Sequence, residues 1–205
     1  MDVAEPTSPY VVVTVGTTKF PLLMSAMVRT FLQTHTRSLA CCTHHPLPFD
    51  LPASQDSGAE RIAAKIASMG ICAAIIQHGA SPEPENLIAA LRRRAVSVVS
   101  AAFIRNFTPL TQRASLVLSH AGAGTVLEVL RSNMQPPPRL FIVTNPVLMD
   151  NHQEELGRSL EQYLHYSSVT EFVAAFEDAS WERKERYPER DTQSFSALLE
   201  HELCW

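Results

Sequence analysis

The sequence predicts an α/β fold in which helices cover both faces of a doubly wound parallel sheet. Short apolar, β-branched segments alternate along the chain with segments whose apolar residues recur every three or four positions, as on one face of a helix. The strand segments are continuously apolar, which is typical of a sheet buried on both faces. Ligands of such sheets bind beyond the carboxyl ends of the strands, so we expect function in the turns that follow the strands.

The first strand is predicted over residues 10–15, which are rich in valine and lead into a Gly-Thr-Thr turn. A helix follows near residues 20–33, where apolar residues lie four positions apart. Periodicity disappears between residues 34 and 57, where His, Pro, Thr and Ser accumulate. We expect a flexible insertion there, within a single domain that spans residues 1–180.

Five further elements are predicted between residues 57 and 109. A helix opens with the capping-box spacing of Ser57 and Glu60 and stops at Gly70. A strand follows at residues 71–77, then a short surface helix at 85–94 and a second strand at 96–103. A brief helical turn starts at residues 108–109.

The second half of the chain continues the alternation. Strands are predicted at residues 116–119 and 140–144, with helices beginning near Gly122, Asp150 and Ser168; the helix near Asp150 carries a leucine stripe as far as Leu164. Residues 181–205 are interpreted as a C-terminal connector and helix. The connector, residues 181–191, is charged and expected in solvent, whereas the apolar stripe of residues 195–203 either packs on the body or docks a partner.

Composition excludes several classes of protein. The net charge is −4, from 17 basic and 21 acidic residues, and offers no basic face for nucleic acid. The apolar runs are much shorter than the roughly 20 residues needed to cross a bilayer. The first six residues lack the pattern of a secretory signal, so we expect a cytoplasmic protein.

The four cysteines show neither a CxxC motif nor a regular framework, which favours reduced thiols. Residues 41–45, Cys-Cys-Thr-His-His, contain metal-ligating side chains. Adjacent cysteines nevertheless lack the two-residue spacing of zinc knuckles, so no metal site is predicted.

The most informative motif is the glycine turn, defined as residues 120–125, which lies between an apolar strand and an apolar-periodic helix. Gly122 and Gly124 let a ligand approach the backbone, and the N–H groups of the helix start favour an anion. The third glycine of a dinucleotide fingerprint is absent, as is the Gly-Lys-Ser/Thr ending of a Walker loop. The turn therefore predicts a phosphate site that belongs to neither class.

Two polar side chains, one within this turn and one beyond it, are candidate site residues. Glu128 lies about one turn inside the helix, too deep to cap it, where a carboxylate reaches past a phosphate toward a sugar diol. His120 is interpreted as a ligand contact, a general base or a strand-end histidine, and the sequence leaves these roles open. Polar residues 151–153 start the next helix, where capping the helix and binding sugar hydroxyls are compatible roles.

Three sequence blocks resemble a known family: Val13 to Thr18, Ser119 to Glu128 and Leu148 to Leu156. They are similar to the small catalytic subunit of the eukaryotic UDP-N-acetylglucosamine transferase that adds the second GlcNAc to dolichol diphosphate. Weaker matches at residues 187–188 and 195–198 extend the resemblance to the tail, whereas residues 34–57 and 81–94 lie outside it. That family is similar to the C-terminal, donor-binding half of a GT-B glycosyltransferase, a Rossmann-like doubly wound parallel sheet.

The resemblance implies a role for each motif. By motif position, it assigns the uridine ribose to Glu128 and the diphosphate to the turn of Gly122, Ala123, Gly124 and Thr125. It assigns the GlcNAc to Asn151, His152 and Gln153. The interdomain cleft would be lined by Gly16, Thr17 and Thr18. It implies inversion at the anomeric carbon with no cofactor and no metal. The general base of related enzymes tends to lie in the acceptor half, which leaves His120 as the fallback candidate in this chain.

The resemblance also implies a heterodimer. A membrane-anchored, acceptor-binding subunit would supply the other wall of the cleft and recruit this chain to the cytosolic face of the endoplasmic reticulum. The donor would be UDP-GlcNAc and the acceptor a lipid-linked GlcNAc diphosphate, in the second step of lipid-linked oligosaccharide assembly for N-glycosylation. A length of 205 residues suits half of such an enzyme.

Two other functions are weighed against this one. A catalytically silent nucleotide-sugar sensor or scaffold would account for the lack of an evident base. A hydrolase that uses Ser119 and His120 is disfavoured, because adjacent strand residues point to opposite faces and no nucleophile elbow is present.

Overall fold

The computed structural model describes residues 1–15, 58–144, 152–182 and 184–189. The predicted helix at residues 20–33, the insertion at 34–57 and the apolar stripe at 195–203 lie outside them. The described strands are β1 (Tyr10–Thr14), β2 (Ala73–Gln77), β3 (Ser97–Ala101), β4 (Leu116–His120), β5 (Arg139–Thr144) and β6 (His165–Ser168). The described helices are α1 (Gly58–Ser68), α2 (Glu85–Arg93), α3 (Phe107–Arg113), α4 (Ala123–Leu130), α5 (His152–Ser159) and α6 (Phe172–Asp178).

All six described strands are parallel and form one sheet in the order β3-β2-β1-β4-β5-β6. The chain passes outward from β1 through β2 to β3, then crosses to β4 on the other side of β1 and continues outward to β6. The direction of winding therefore reverses between β1 and β4, where Thr14 is paired with Ser119. The predicted doubly wound parallel sheet is confirmed, and its switch point lies at these two strand ends.

The alternation of side chains along β1 divides the core into two clusters, one on each face of the sheet. Val11 and Val13 belong to one cluster, and Tyr10 and Val12 to the other. All four side chains are buried, because helices cover both faces. This explains why the strand is continuously apolar rather than alternately polar and apolar.

Most element predictions are confirmed to within a few residues. The first described helix ends shortly before Gly70, which has a φ of +74°, a backbone conformation that glycine adopts without steric cost. The helix that follows β5 is shorter than its leucine stripe suggested: it ends at Ser159, and Leu164 packs in the core from the turn beyond. None of the helices in the described ranges is long and apolar enough to cross a membrane.

Two features differ from the sequence predictions. Strand β6 was not predicted, because its four residues, His-Tyr-Ser-Ser, are mostly half-buried at the edge of the sheet and carry no apolar pattern. The predicted exposed connector is wrong at Trp181, which is 8% exposed. Its ring packs with Phe141 and Phe176 at centroid distances of 5.9 and 5.0 Å. The charged neighbours of Trp181 masked this core contact in the sequence.

Candidate functional site

The predicted site turns follow three adjacent strands. β1, β4 and β5 lie side by side in the sheet, so their carboxyl ends share one edge. This is the arrangement that convergence of the three turns requires. Gly16, Thr17, Thr18 and Asn151 lie outside the described residues, whereas the glycine turn after β4 is described in full.

The start of α4 presents backbone N–H groups without a side-chain cap. Gly122 is the N-cap residue and has no side chain with which to cap the helix; its N–H donates to the His120 carbonyl at 2.8 Å, and its own carbonyl accepts a hydrogen bond from Val126 N at 3.1 Å. The N–H groups of the first turn have no acceptor within the helix itself. No acidic residue lies in that turn, and Ala123 and Gly124 are exposed to solvent. The electrostatics and access of this helix start suit an anion.

The two glycines of the turn differ in their surroundings. A Cβ at Gly122 would lie 2.5 Å from Nε2 and 2.8 Å from Cε1 of His120, so any other residue there would force the imidazole or the turn to shift. A Cβ at Gly124 would meet no atom within 4 Å. Open space over the second glycine leaves its backbone accessible to a ligand.

His120 joins the two strands at the switch point. It is the last residue of β4, and its imidazole forms a hydrogen bond with the backbone of Thr14 in β1. Burial lowers the pKa of His120 below its ordinary value, and the hydrogen bond opposes this shift only partly. The ring is therefore neutral near pH 7, a state that can donate one hydrogen bond and accept a proton.

Ser119 is unsuited to be a nucleophile. Its side chain is fully buried, and its hydroxyl donates a hydrogen bond to the His120 carbonyl at 2.9 Å. The geometry thus argues against the hydrolase that the sequence disfavoured.

Glu128 lies on the same face of α4 as the open end of the glycine turn. Residues three and four positions apart are neighbours on a helix, which places Gly124, Thr125 and Glu128 in one row. Val126 and Val129 occupy the opposite, buried face. Glu128 is half-buried, and its Oε1 accepts a hydrogen bond from the Thr111 hydroxyl at 2.8 Å. The backbone of Glu128 lies about 6 Å along the helix axis from that of Gly124, and Thr111 ties its carboxylate to α3.

The start of α5 differs in charge from that of α4. His152 is the first residue of α5 and is exposed, while Gln153 is half-buried. Glu154 and Glu155 lie in the first turn, and Glu155 Oε2 is 3.4 Å from Nδ1 of His152. These carboxylates disfavour a second phosphate at α5, whereas the amide of Gln153 before them suits sugar hydroxyls.

Sequence reasoning missed Thr111, because the threonine in α3 is 17 residues from Glu128 and only the packing of α3 on α4 brings them together. Among the described residues, no three His, Cys, Asp or Glu side chains lie close enough to hold a metal ion. The segment of residues 41–45 lies outside those residues.

The chain is similar to glycosyltransferases of one family. The family model described as "Glycosyltransferase family 28 C-terminal domain" matches residues 10–199. Proteins named "UDP-N-acetylglucosamine transferase subunit ALG13" match over shorter stretches. The Eremothecium gossypii protein is 36% identical over 91 residues, which is 42% of this chain and 43% of that protein.

Two further relatives carry the same name. The Cryptococcus neoformans protein is 41% identical over 76 residues, 37% of this chain and 34% of that protein. The Homo sapiens protein is 46% identical over 54 residues, 26% of this chain and 4% of that protein. Each match thus covers less than half of the relative's length. No solved structure matches the chain.

Proposed function

Since the chain belongs to the family of glycosyltransferase family 28 C-terminal domains, we propose that it is the donor-binding subunit of an inverting N-acetylglucosaminyltransferase. The reaction moves GlcNAc from UDP-GlcNAc to GlcNAc-diphospho-dolichol. The names of the relatives, each a UDP-N-acetylglucosamine transferase subunit, support this donor. The observation that carries the proposal is the uncapped, acid-free start of α4 at the switch point of the sheet.

The donor is proposed to lie along α4. Its diphosphate lies against the turn at Gly122 and accepts hydrogen bonds from the N–H groups of residues 123–125, above the open space at Gly124, because the Gly122 N–H already donates to the His120 carbonyl. Its ribose hydroxyls donate to Glu128, one helical turn further on. The GlcNAc contacts the start of α5 at Asn151, His152 and Gln153, and Gly16, Thr17 and Thr18 line the cleft from the end of β1.

The chemistry is a displacement at the anomeric carbon. A hydroxyl of the acceptor sugar attacks that carbon, the bond to the UDP oxygen breaks, and the configuration inverts. Negative charge grows on the departing diphosphate, where the helix N–H groups stabilise it more strongly than in the ground state. A base removes the proton of the attacking hydroxyl. Within this chain the candidate base is His120, whose lowered pKa favours the neutral imidazole. The alternative is a base on the partner.

The proposal includes a membrane-anchored partner. That subunit binds the lipid-linked acceptor, supplies the other wall of the cleft, and holds this chain at the cytosolic face of the endoplasmic reticulum. The word "subunit" in the names of the relatives supports a partner of this kind.

The test is a transfer assay on this chain co-expressed with the partner, using UDP-GlcNAc and GlcNAc-diphospho-lipid. Glu128→Ala is expected to lower kcat/KM for the donor by about 10- to 100-fold, because a hydrogen bond to a charged group contributes about 1.5–3 kcal/mol. Glu161→Ala, at an exposed residue beyond α5, is the matched control and should leave transfer unchanged.

Two results would contradict the proposal. Normal kcat/KM in the Glu128→Ala variant would remove the ribose assignment. Saturable UDP-GlcNAc binding with no transfer in the complete complex would instead favour the nucleotide-sugar sensor.

A further inference from the structure

Thr111 has an unusual position for a polar residue. Its side chain is fully buried between α3 and α4, and its hydroxyl lies 2.8 Å from Oε1 of Glu128 and 2.9 Å from the carbonyl oxygen of Thr108. A hydroxyl has one proton to donate, so these two acceptors compete for it. A carboxylate is the stronger acceptor, because hydrogen bonds to a charged group are shorter and stronger than neutral ones.

The backbone on both sides of Thr111 is tied down. The Tyr10 hydroxyl donates to the Leu110 carbonyl at 2.9 Å, which links α3 to β1. The Ser132 hydroxyl donates to the Gln112 carbonyl at 2.9 Å, which links α3 to the chain just beyond α4. The hydroxyl of Thr111 therefore projects from a segment fixed to both the sheet and the neighbouring helix.

The hydrogen bond occupies only one carboxylate oxygen of Glu128. Among the described residues, Oε1 has the Thr111 hydroxyl as its donor, and Oε2 has no hydrogen-bond donor. A glutamate side chain has several rotatable bonds and would otherwise sample many orientations at this half-buried position. Holding Oε1 restricts the rotation of the carboxylate and so limits the directions open to Oε2, on a helix face that also carries Gly124 and Thr125.

We propose that Thr111 is a positioning residue for nucleotide recognition, which orients the Glu128 carboxylate so that its second oxygen meets the ribose diol. The inference rests on the proposed function, since it presupposes that Glu128 binds the ribose. It adds that selectivity for a ribonucleotide depends on a buried threonine that touches no part of the ligand. Removing the Thr111 hydroxyl is expected to impair discrimination between ribose and dideoxyribose. Binding of the phosphates should be unaffected.

The experiment compares the binding of UDP and 2′,3′-dideoxy-UDP to the full chain by isothermal titration calorimetry. Wild type is expected to prefer UDP, and Thr111→Val to lower that preference by about tenfold, the value of one charge-assisted hydrogen bond. Thr111→Ser retains the hydroxyl and should retain the preference. The ratio of the two dissociation constants is informative, because a merely structural defect would weaken the binding of both ligands equally.

Variants at Glu128 separate this inference from the proposed function. Glu128→Ala alone should abolish the preference, and Thr111→Val added to it should cause no further loss. A normal preference in Thr111→Val, with its loss in Glu128→Ala, would overturn the positioning role alone. A normal preference in Glu128→Ala, or no UDP binding by wild type, would overturn the ribose site and this inference with it. If Thr111→Val does not fold, the smaller Thr111→Ala decides by the same ratio.

Discussion

The imidazole of His120 packs directly over Gly122, so that a Cβ at residue 122 would lie 2.5 Å from Nε2. The same ring is hydrogen-bonded to the backbone of Thr14. Because β1 and β4 meet at the switch point, this contact couples the end of one strand to the helix start that follows the other. A larger residue at position 122 would therefore disturb the His120 ring even with no ligand bound.

Gly122→Ala is expected to destabilise the fold and weaken UDP binding together. The added methyl group forces His120 or the turn to move, and overpacking of this kind typically costs about 1–3 kcal/mol. Urea unfolding gives the change in stability, and calorimetric titration with UDP gives the change in affinity. Wild-type values for both would show that the imidazole moves away at no cost.

Gly124→Ala is the matched comparison, since a Cβ there meets no atom of the described chain within 4 Å. Stability should be maintained or raised by up to about 1 kcal/mol, because alanine has a higher helix propensity than glycine. UDP affinity should nevertheless fall, because the methyl group occupies the space above the helix start. Unchanged UDP affinity would mean that the diphosphate does not approach residue 124.

Acidification should destabilise the protein through two histidines. Burial lowers the pKa of His120 and of His165 below the ordinary value of 6.5; at His165, nearby Lys184 and Arg139 lower it further. Below pH 6.5 the unfolded chain therefore binds more protons than the folded chain, so the free energy of unfolding decreases as the pH falls through this window. Urea midpoints measured from about pH 8 to about pH 5 test the sign.

A variant isolates one of the two contributions. His165 stacks on Phe141, with ring planes 11° apart, so His165→Phe keeps an aromatic ring in place and removes the titrating group. Its stability should depend less steeply on pH than that of wild type, with measurements at about pH 8 as the reference. An identical slope in the variant would exclude His165 as a source of the acid sensitivity.

The sequence predictions succeeded where the pattern lay within a few consecutive residues, and failed where a contact between distant elements was decisive. The buried strands are continuous apolar runs, and the histidine and two glycines of the glycine turn lie within nine residues of sequence that also include Glu128, so both were recognisable. The edge strand β6 was not, because pairing with β5 rather than composition makes it a strand. Thr111 contributes through a contact between two helices, which no spacing in the sequence expresses.

Trp181→Ala should strongly destabilise the protein. The indole packs on Phe141 and Phe176 and is buried. The Trp181 backbone has a φ of +53°, a conformation unfavourable for residues other than glycine. Loss of a large buried aromatic side chain typically costs about 3–5 kcal/mol. Urea unfolding should show this loss, with a smaller one for Trp181→Phe; a wild-type midpoint in the alanine variant would mean that the indole does not contribute to the core.

Gly157→Ala should disturb the proposed sugar site from a distance. A Cβ at Gly157 in α5 would lie 2.7 Å from Cδ2 of Tyr166 in β6, so the helix or the ring must move. We expect a loss of about 1–3 kcal/mol in stability and a higher KM for UDP-GlcNAc, because α5 begins with His152 and Gln153. Tyr166→Ala makes room for the methyl group, so the double variant should lose less stability than the sum of the two single changes. Additive losses would show that the two side chains do not compete for the same space, and an unchanged KM would separate the packing of α5 from sugar binding.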